Sequence, residues 1–150
     1  MSETQHATFV IERKLSASPK RVFAAWADKE SKRAWFVEGK GFEIQKFEMN
    51  FREGGSEDSS FTFQQGQICS NSTLYHDIVD NQRIVFTYSM AMGNARFSVS
   101  LATVELRGDG DGTRLIFTEQ AAFLENADGP KMREQGWTKL LDQLENYLTR

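Results

Sequence analysis

The segment GPKMREQGWTKLLDQLENYLTR, residues 129–150, decides the fold of this chain. Its large apolar residues recur every three or four positions, and polar residues fill the positions between them. The apolar set is Trp137, Leu140, Leu141, Leu144, Tyr147 and Leu148. This spacing predicts an amphipathic helix with one buried stripe, and Pro130 suits its first turn. Because one face of the helix is apolar, the rest of the chain must supply an apolar surface beneath it.

Gly136 is the unusual residue of this segment, because a glycine inside a helix costs about 1 kcal/mol relative to alanine. Two interpretations account for it. The helix packs closely on a neighbouring backbone at this point, or the missing side chain leaves room for a ligand.

The preceding sequence predicts first a strand and then two short helices. Apolar residues alternate with polar ones over Thr8–Leu15, which predicts a half-buried strand. Ser18 and Pro19 then give a helix start, and helical spacing continues as far as Val37. These short helices precede the main run of strands.

From Phe42 to Glu119 the apolar residues follow a period of two, interrupted by turns rich in Gly, Asp and Asn. A change of parity predicts a β-bulge at Gln45–Lys46. Further along, alternation predicts Phe97, Val99 and Leu101 on one side of a strand. With the terminal helix as a cover, the prediction is an α+β fold with about seven antiparallel strands in a single domain, 1–150.

Composition excludes several classes of function. The chain has 150 residues, a net charge of −3 and no cluster of Lys and Arg, which argues against nucleic-acid binding. No apolar run is long enough for a membrane span, and the polar N-terminus does not resemble a secretory signal. The single cysteine, Cys69, excludes an internal disulfide. A cytoplasmic location is therefore expected.

Six short motifs follow one another along the chain. They are PKRVFAAW at 19–26, AWF at 34–36, FREGG at 51–55, RIVF at 83–86, GTRL at 112–115 with FTE at 117–119, and GW at 136–137. Their order and spacing resemble the family named for the activator of the heat-shock-protein ATPase (AHSA-type), within the START-like or SRPBCC superfamily. The run RFSVSLATVEL at 96–106 is similar to a bacterial, mostly uncharacterised branch. The resemblance implies a helix-grip fold, in which a curved sheet wraps around the terminal helix.

The resemblance also implies a cavity between the sheet and the last helix, opening near the two short helices. The residues expected to bind a ligand there are Trp26, Trp35, Phe36, Phe42, Phe47, Met49, Tyr88, Met90, Phe97, Val99, Glu119, Trp137 and Leu141. Apart from Glu119 they are apolar or aromatic, as most ligand pockets are, although each of them also suits a plain hydrophobic core. Met90 and Met92 would give the cavity an adaptable rim.

Glu119 is the candidate for chemistry. It shares a strand face with Leu115 and Phe117, so it either ends the strand in solvent or points into the cavity as a lone acid with a raised pKa. In the second case Tyr88 or Tyr75 would be its best partner for polarising a carbonyl or hydroxyl group. The sequence offers no nucleophile, no zinc motif and no phosphate-binding loop, so no catalytic set, metal or cofactor is predicted. Glu53, Glu57 and Asp58 form an acidic turn that is expected to be solvated, with a cation site as the alternative.

Three functional hypotheses remain. The first is binding of a small apolar or aromatic molecule, lipid-like or polyketide-like. The second, suggested by the family name and its link to stress response, is a chaperone-ATPase-interacting module that uses a basic patch of Lys29, Lys32 and Arg33 beside Trp35. The third is a cyclase, dehydratase or hydrolase that uses Glu119 and a tyrosine. The sequence leaves the oligomeric state open between monomer and homodimer.

Overall fold

The computed structural model describes residues 4–38, 43–62 and 66–150, and these form a curved antiparallel sheet covered by helices. The strands are β1 (Gln5–Leu15), β2 (Glu43–Met49), β3 (Ser56–Thr62), β4 (Ile68–Val79), β5 (Arg83–Met92), β6 (Ala95–Asp109) and β7 (Gly112–Phe123). They pair in the order β1-β7-β6-β5-β4-β3-β2. Strands β2 to β7 pair with their neighbours in sequence, and β1 forms one edge of the sheet by pairing with β7. The α+β helix-grip prediction is confirmed.

Three helical segments and one π-helical turn lie within the described ranges. They are α1 (Pro19–Ala27), α2 (Lys29–Lys32), the π-helical turn Arg33–Val37 and α3 (Pro130–Leu148). As expected from the sequence, Ser18 caps α1 by accepting a hydrogen bond from the backbone N–H of Arg21 at 3.3 Å. Asp28 caps α2 in the same way, accepting from Ser31 at 3.0 Å. None of the helices within the described residues is long and apolar enough to cross a membrane.

Helix α3 covers the inner face of the sheet. Leu141 and Leu144 are almost fully buried, and the ring of Trp137 lies 4.2 Å from that of Phe117 on β7. Trp137 also stacks on Trp26 of α1, with ring centroids 6.3 Å apart. The predicted apolar stripe therefore forms the centre of the core, between the sheet and the short helices.

Bulges set which residues face this core. The predicted irregularity in β2 is present, as a register shift between Ile44 and Lys46. A second shift lies between β5 and β6, where Met90 pairs with Ser98 and the next residue, Ala91, pairs with Arg96. This pairing leaves Phe97 as the extra residue of a β-bulge.

The bulge at Phe97 corrects the predicted orientation of β6. Phe97 and Ser98 are both buried, and from there the inward positions continue with Ser100 and Ala102. Val99 and Leu101 point away from the core and are 45% and 37% exposed. The prediction that Val99 faces inward with Phe97 was wrong, because the bulge reverses the parity of every residue after it.

Candidate functional site

A cavity of about 1020 Å³ lies between α3 and the inner faces of β4, β5 and β6. Its size is at the upper end of the range usual for ligand pockets. The wall is mainly apolar, and its large apolar residues are Phe36, Phe61, Met90, Met92, Phe97, Met132, Trp137 and Leu140. The connection from β7 to α3 supplies a polar section, residues 125–128. We call the exposed lining residues, which include Glu125, Met132 and Lys139, the rim.

The cavity brings together part of the predicted set. Phe36, Tyr88, Met90, Phe97 and Trp137 line it. The other predicted residues within the described chain lie off its wall: Trp26, Trp35, Phe47 and Leu141 are buried in the core, Met49 is half-buried and Val99 faces outward. Phe42 lies outside the described residues.

The three tryptophans lie together, but only Trp137 reaches the cavity. Trp26 and Trp35 meet edge to face at 4.8 Å beneath it. The indole N–H of Trp35 donates to the backbone oxygen of Ala25 at 2.8 Å, which holds its ring in the core. These two rings support the wall from behind.

Gly136 lies on the cavity wall, where a Cβ atom would meet no other atom within 4 Å. Of the two interpretations of this glycine, the geometry favours open space in the cavity over close backbone packing. A larger side chain at this position would project into space that a ligand could use.

At the inner end of the cavity, partly on its wall and partly behind it, lies a set of polar residues that we call the floor network: Tyr88, Ser98, Ser100, Glu119, Asp128 and Arg133. Tyr88 donates to Glu119 Oε1 at 2.7 Å, and Ser100 donates to Glu119 Oε2 at 2.9 Å. Arg133 forms a bidentate pair with Asp128, with both contacts at 2.8 Å. Its remaining N–H groups reach Ser98, Tyr88, Ser100 and Glu119. The network joins α3 to β5, β6 and β7.

Glu119 is completely buried, so the solvent interpretation of this residue was wrong. Neither is it a lone acid, because Arg133 Nη1 lies 3.4 Å from its Oε2. Burial raises the pKa of Glu119, against the opposing effects of the Tyr88 hydrogen bond and the Arg133 charge. Tyr88, not Tyr75, is its tyrosine partner. The carboxylate itself lies behind the cavity wall, and Tyr88 and Arg133 stand between it and the open space.

Stability should depend on pH through Glu119. Because its pKa is raised above the ordinary 4.5, the native state binds this proton more tightly than the unfolded chain does. Its contribution is therefore fully present below pH 4.5 and is lost as the pH rises through the raised pKa. The free energy of unfolding of the wild type minus that of Glu119→Gln should fall over this interval, measured by urea unfolding at several pH values. A difference that stays constant with pH would contradict the expectation.

Arg133 is the residue of the network that the sequence analysis missed. It is only 6% exposed. The signal was present, because Arg133 lies four residues before Trp137 and so shares the buried stripe of α3. Hydropathy patterns place arginine in solvent, whereas here two carboxylates compensate its charge. Burial by itself would lower the pKa of Arg133, but the hydrogen bonds to Asp128 and the nearby negative charges raise it.

A second buried ion pair lies on the other side of Phe36. Lys32 Nζ lies 2.8 Å from Glu57 Oε1, and each side chain is 2% exposed. The hydroxyl of Tyr75 also donates to Glu57. The ammonium group is surrounded by the rings of Trp26, Phe36, Tyr75 and Phe86, at 4.7–5.9 Å from their centroids. Burial and the Glu57 charge raise the pKa of Tyr75. We call Lys32, Glu57 and Tyr75 the lysine cluster.

The lysine cluster corrects two expectations. Lys32 does not belong to an exposed basic patch with Lys29 and Arg33. It lies on the same helical face as Phe36, and both side chains are buried. Glu57 is not part of a solvated acidic turn, because β3 starts at Ser56 and the alternation directs Glu57 and Ser59 toward the core.

Comparison with known proteins supports the architecture. Residues 16–149 match the family described as activator of Hsp90 ATPase homolog 1-like protein. A search of curated proteins found no match to this chain.

Several solved structures are similar over almost their whole length. An uncharacterised protein from Rhizobium leguminosarum has 39% identity and a TM-score of 0.94, with 99% of this chain and 97% of that chain covered. A protein from Rhizobium loti has 46% identity and a TM-score of 0.90, with coverage of 97% and 99%. A protein from Chromobacterium violaceum has 26% identity and a TM-score of 0.79, with coverage of 95% and 97%. Since the family match spans nearly the entire chain, this protein belongs to the activator of Hsp90 ATPase homolog 1-like family.

Proposed function

We propose that this protein binds a small apolar or aromatic molecule in the cavity between α3 and the sheet. The observation that carries the proposal is the cavity itself, about 1020 Å³ in volume and lined by the rings of Phe36, Phe61, Phe97 and Trp137. A molecule that covers these surfaces gains roughly 25 cal/mol for each Å² of apolar area removed from water. Met90, Met92 and Met132 add flexible side chains that adapt to the shape of a ligand.

The contacts of Tyr88 favour binding over proton transfer. Its hydroxyl donates to Glu119 and accepts from Trp137 at 3.0 Å and from Arg133 at 3.1 Å. A phenol has one donor and two acceptor positions, so all three are used. Polarising a substrate would require Tyr88 to give up one of these buried contacts, and Glu119 does not reach the wall.

The family match is compatible in general with either ligand binding or a role like that of a chaperone ATPase activator. We favour the ligand because the basic patch expected for a chaperone partner loses its central member, Lys32, to the buried pair with Glu57.

Gly136 provides the test of this function. Gly136→Phe adds a ring at the cavity wall, where it is expected to fill part of the cavity, whereas Gly136→Ala adds one methyl group in open space. Neutral aromatic and aliphatic probes, including 2-naphthol and dodecan-1-ol, should stabilise the wild type and the alanine variant. At 100 times the Kd the gain is about 2.7 kcal/mol, or roughly 5–10 °C in Tm for a chain of this size. The phenylalanine variant should lose this gain.

Both variants should fold, because alanine and phenylalanine are each better helix formers than glycine. Native mass spectrometry of the protein from its own host gives a second readout, with an apolar passenger expected in the wild type and absent from Gly136→Phe. The proposal fails if no probe of either class shifts the Tm of the wild type and no passenger is found.

A further inference from the structure

An arginine on the inner wall of a cavity is usually interpreted as an anchor for an acidic ligand, because a guanidinium group pairs well with carboxylates. Here every donor of Arg133 already has an acceptor. Its Nε donates to Asp128, and its Nη2 donates to Asp128 and to Ser98 at 2.8 Å. Its Nη1 faces Tyr88 at 3.1 Å and Ser100 and Glu119 at 3.4 Å. The five N–H groups of the guanidinium are therefore occupied within the protein.

The floor network also offers no net positive charge. Arg133 faces two carboxyl groups, Glu119 and Asp128. With Glu119 ionised the three groups sum to −1, and with Glu119 protonated they sum to zero. An anion that entered this end would exchange water for a neutral or repulsive environment without gaining a hydrogen-bond donor, which is costly for a buried charge.

The rim, unlike the floor network, carries an exposed cation. Lys139 belongs to the cavity wall, is exposed, and has no ion-pair partner among the described residues. Glu125 lies on the same rim, so the cation is not part of a strongly basic field. An acidic group can remain hydrated here while it interacts with the ammonium group.

Resting on the proposed function, we propose that the cavity takes molecules whose inner end is uncharged, and that an acidic group, where the ligand has one, lies at the rim beside Lys139. Arg133 is then a structural cation and not an anion anchor. The ligand class is a neutral aromatic or apolar molecule, or an acid that carries its charge at one end only.

Rigid probes test this orientation, because a flexible chain can fold both ends back to the rim. Naphthalene-2,6-diol and naphthalene-2,6-dicarboxylate share one rigid ring system and one substitution pattern, and each places a polar group at the inner end whichever way it enters. A carboxylate is two heavy atoms larger than a hydroxyl, and the one-ended pair of 2-naphthol and 2-naphthoate controls for this size. Titration calorimetry near neutral pH should show the dicarboxylate binding about a hundredfold more weakly than the diol, or not at all. 2-Naphthol and 2-naphthoate, which have one polar group, should differ much less.

Lys139→Gln completes the design. It should weaken binding of 2-naphthoate by a few-fold, as expected for an exposed charge, and change binding of 2-naphthol clearly less. Dicarboxylate binding within about threefold of the diol would overturn the inference while the proposed function stands, since a difference that small is under 1 kcal/mol. If neither 2-naphthol nor the diol binds while other probes still raise the Tm, the inference is overturned and the proposed function stands. If no probe of any kind binds, the proposed function fails with it.

Discussion

Replacing Arg133 with methionine is expected to lower the free energy of unfolding by about 3–5 kcal/mol, the range typical when one partner of a buried ion pair is removed. Methionine keeps much of the apolar stem but leaves Glu119 and Asp128 without their counter-charge. Ser98 and Tyr88 also each lose a hydrogen bond to the guanidinium group. Chemical unfolding of both proteins at neutral pH measures the effect.

Two further variants separate charge from packing in the Arg133 experiment. Lys131→Met replaces another basic residue by methionine on an exposed position of α3 and should alter stability by less than about 0.5 kcal/mol. Adding Glu119→Gln to Arg133→Met removes one of the uncompensated carboxylates and should restore part of the loss, because the two residues share one network. An Arg133→Met protein as stable as the Lys131→Met control would mean that Arg133 contributes no net stability through the floor network.

The lysine cluster and the floor network are connected through the cavity wall. Phe36 lies against Lys32, 4.7 Å from its ammonium group, and its ring lies 5.9 Å from that of Trp137. The indole of Trp137 donates to Tyr88 in the floor network at 3.0 Å. Two of the rings that face the cavity are thus held between the lysine cluster and the floor network. We infer that the lysine cluster and the floor network hold the shape of this part of the cavity wall.

Much of the fold follows from local pattern. The stripe of α3, the cap at Ser18 and the bulge in β2 all depend on residues close together in sequence, and each was predicted. The bulge at Phe97 was not predicted. It arises from the pairing of β6 with β5, and the alternation of apolar residues in the sequence looks the same before and after it. Val99 was misplaced for this reason.

The site was predicted less well than the fold, and the buried charges explain why. A pattern search assigns arginine, lysine and glutamate to solvent, which is correct unless a partner is buried with them. The partners are distant in sequence: Lys32 and Glu57 are 25 residues apart, and Arg133 and Glu119 are 14 apart. Only the fold brings them together. Trp26, Trp35 and Phe47 were assigned to the cavity but lie in the core behind it. Core and wall positions show the same alternation of apolar residues in the sequence, so the pattern does not separate them.

Lys32→Met is expected to destabilise the protein by about 3–5 kcal/mol, because it leaves the Glu57 carboxylate buried without a cation. The methionine fits the aromatic surroundings, so lost packing should contribute little. Lys29→Met, on the same short helix but exposed, is the matched control and should stay within about 0.5 kcal/mol of the wild type. Thermal and urea unfolding of the two variants measure the difference.

The pairing itself is tested by a double-mutant cycle with Glu57→Gln. Glutamine still accepts the hydrogen bond from Tyr75 but carries no charge, so Lys32→Met/Glu57→Gln should recover more than half of the loss seen in Lys32→Met alone. Because Glu57→Gln alone also leaves Lys32 buried without its counter-charge, the coupling energy should exceed about 1.5 kcal/mol. Additive effects of the two changes would show that Lys32 stabilises the fold through the rings around it and not through Glu57. Recovery in the double variant would mean that a neutral pair can replace the ion pair, as in other buried ion pairs exchanged for neutral groups.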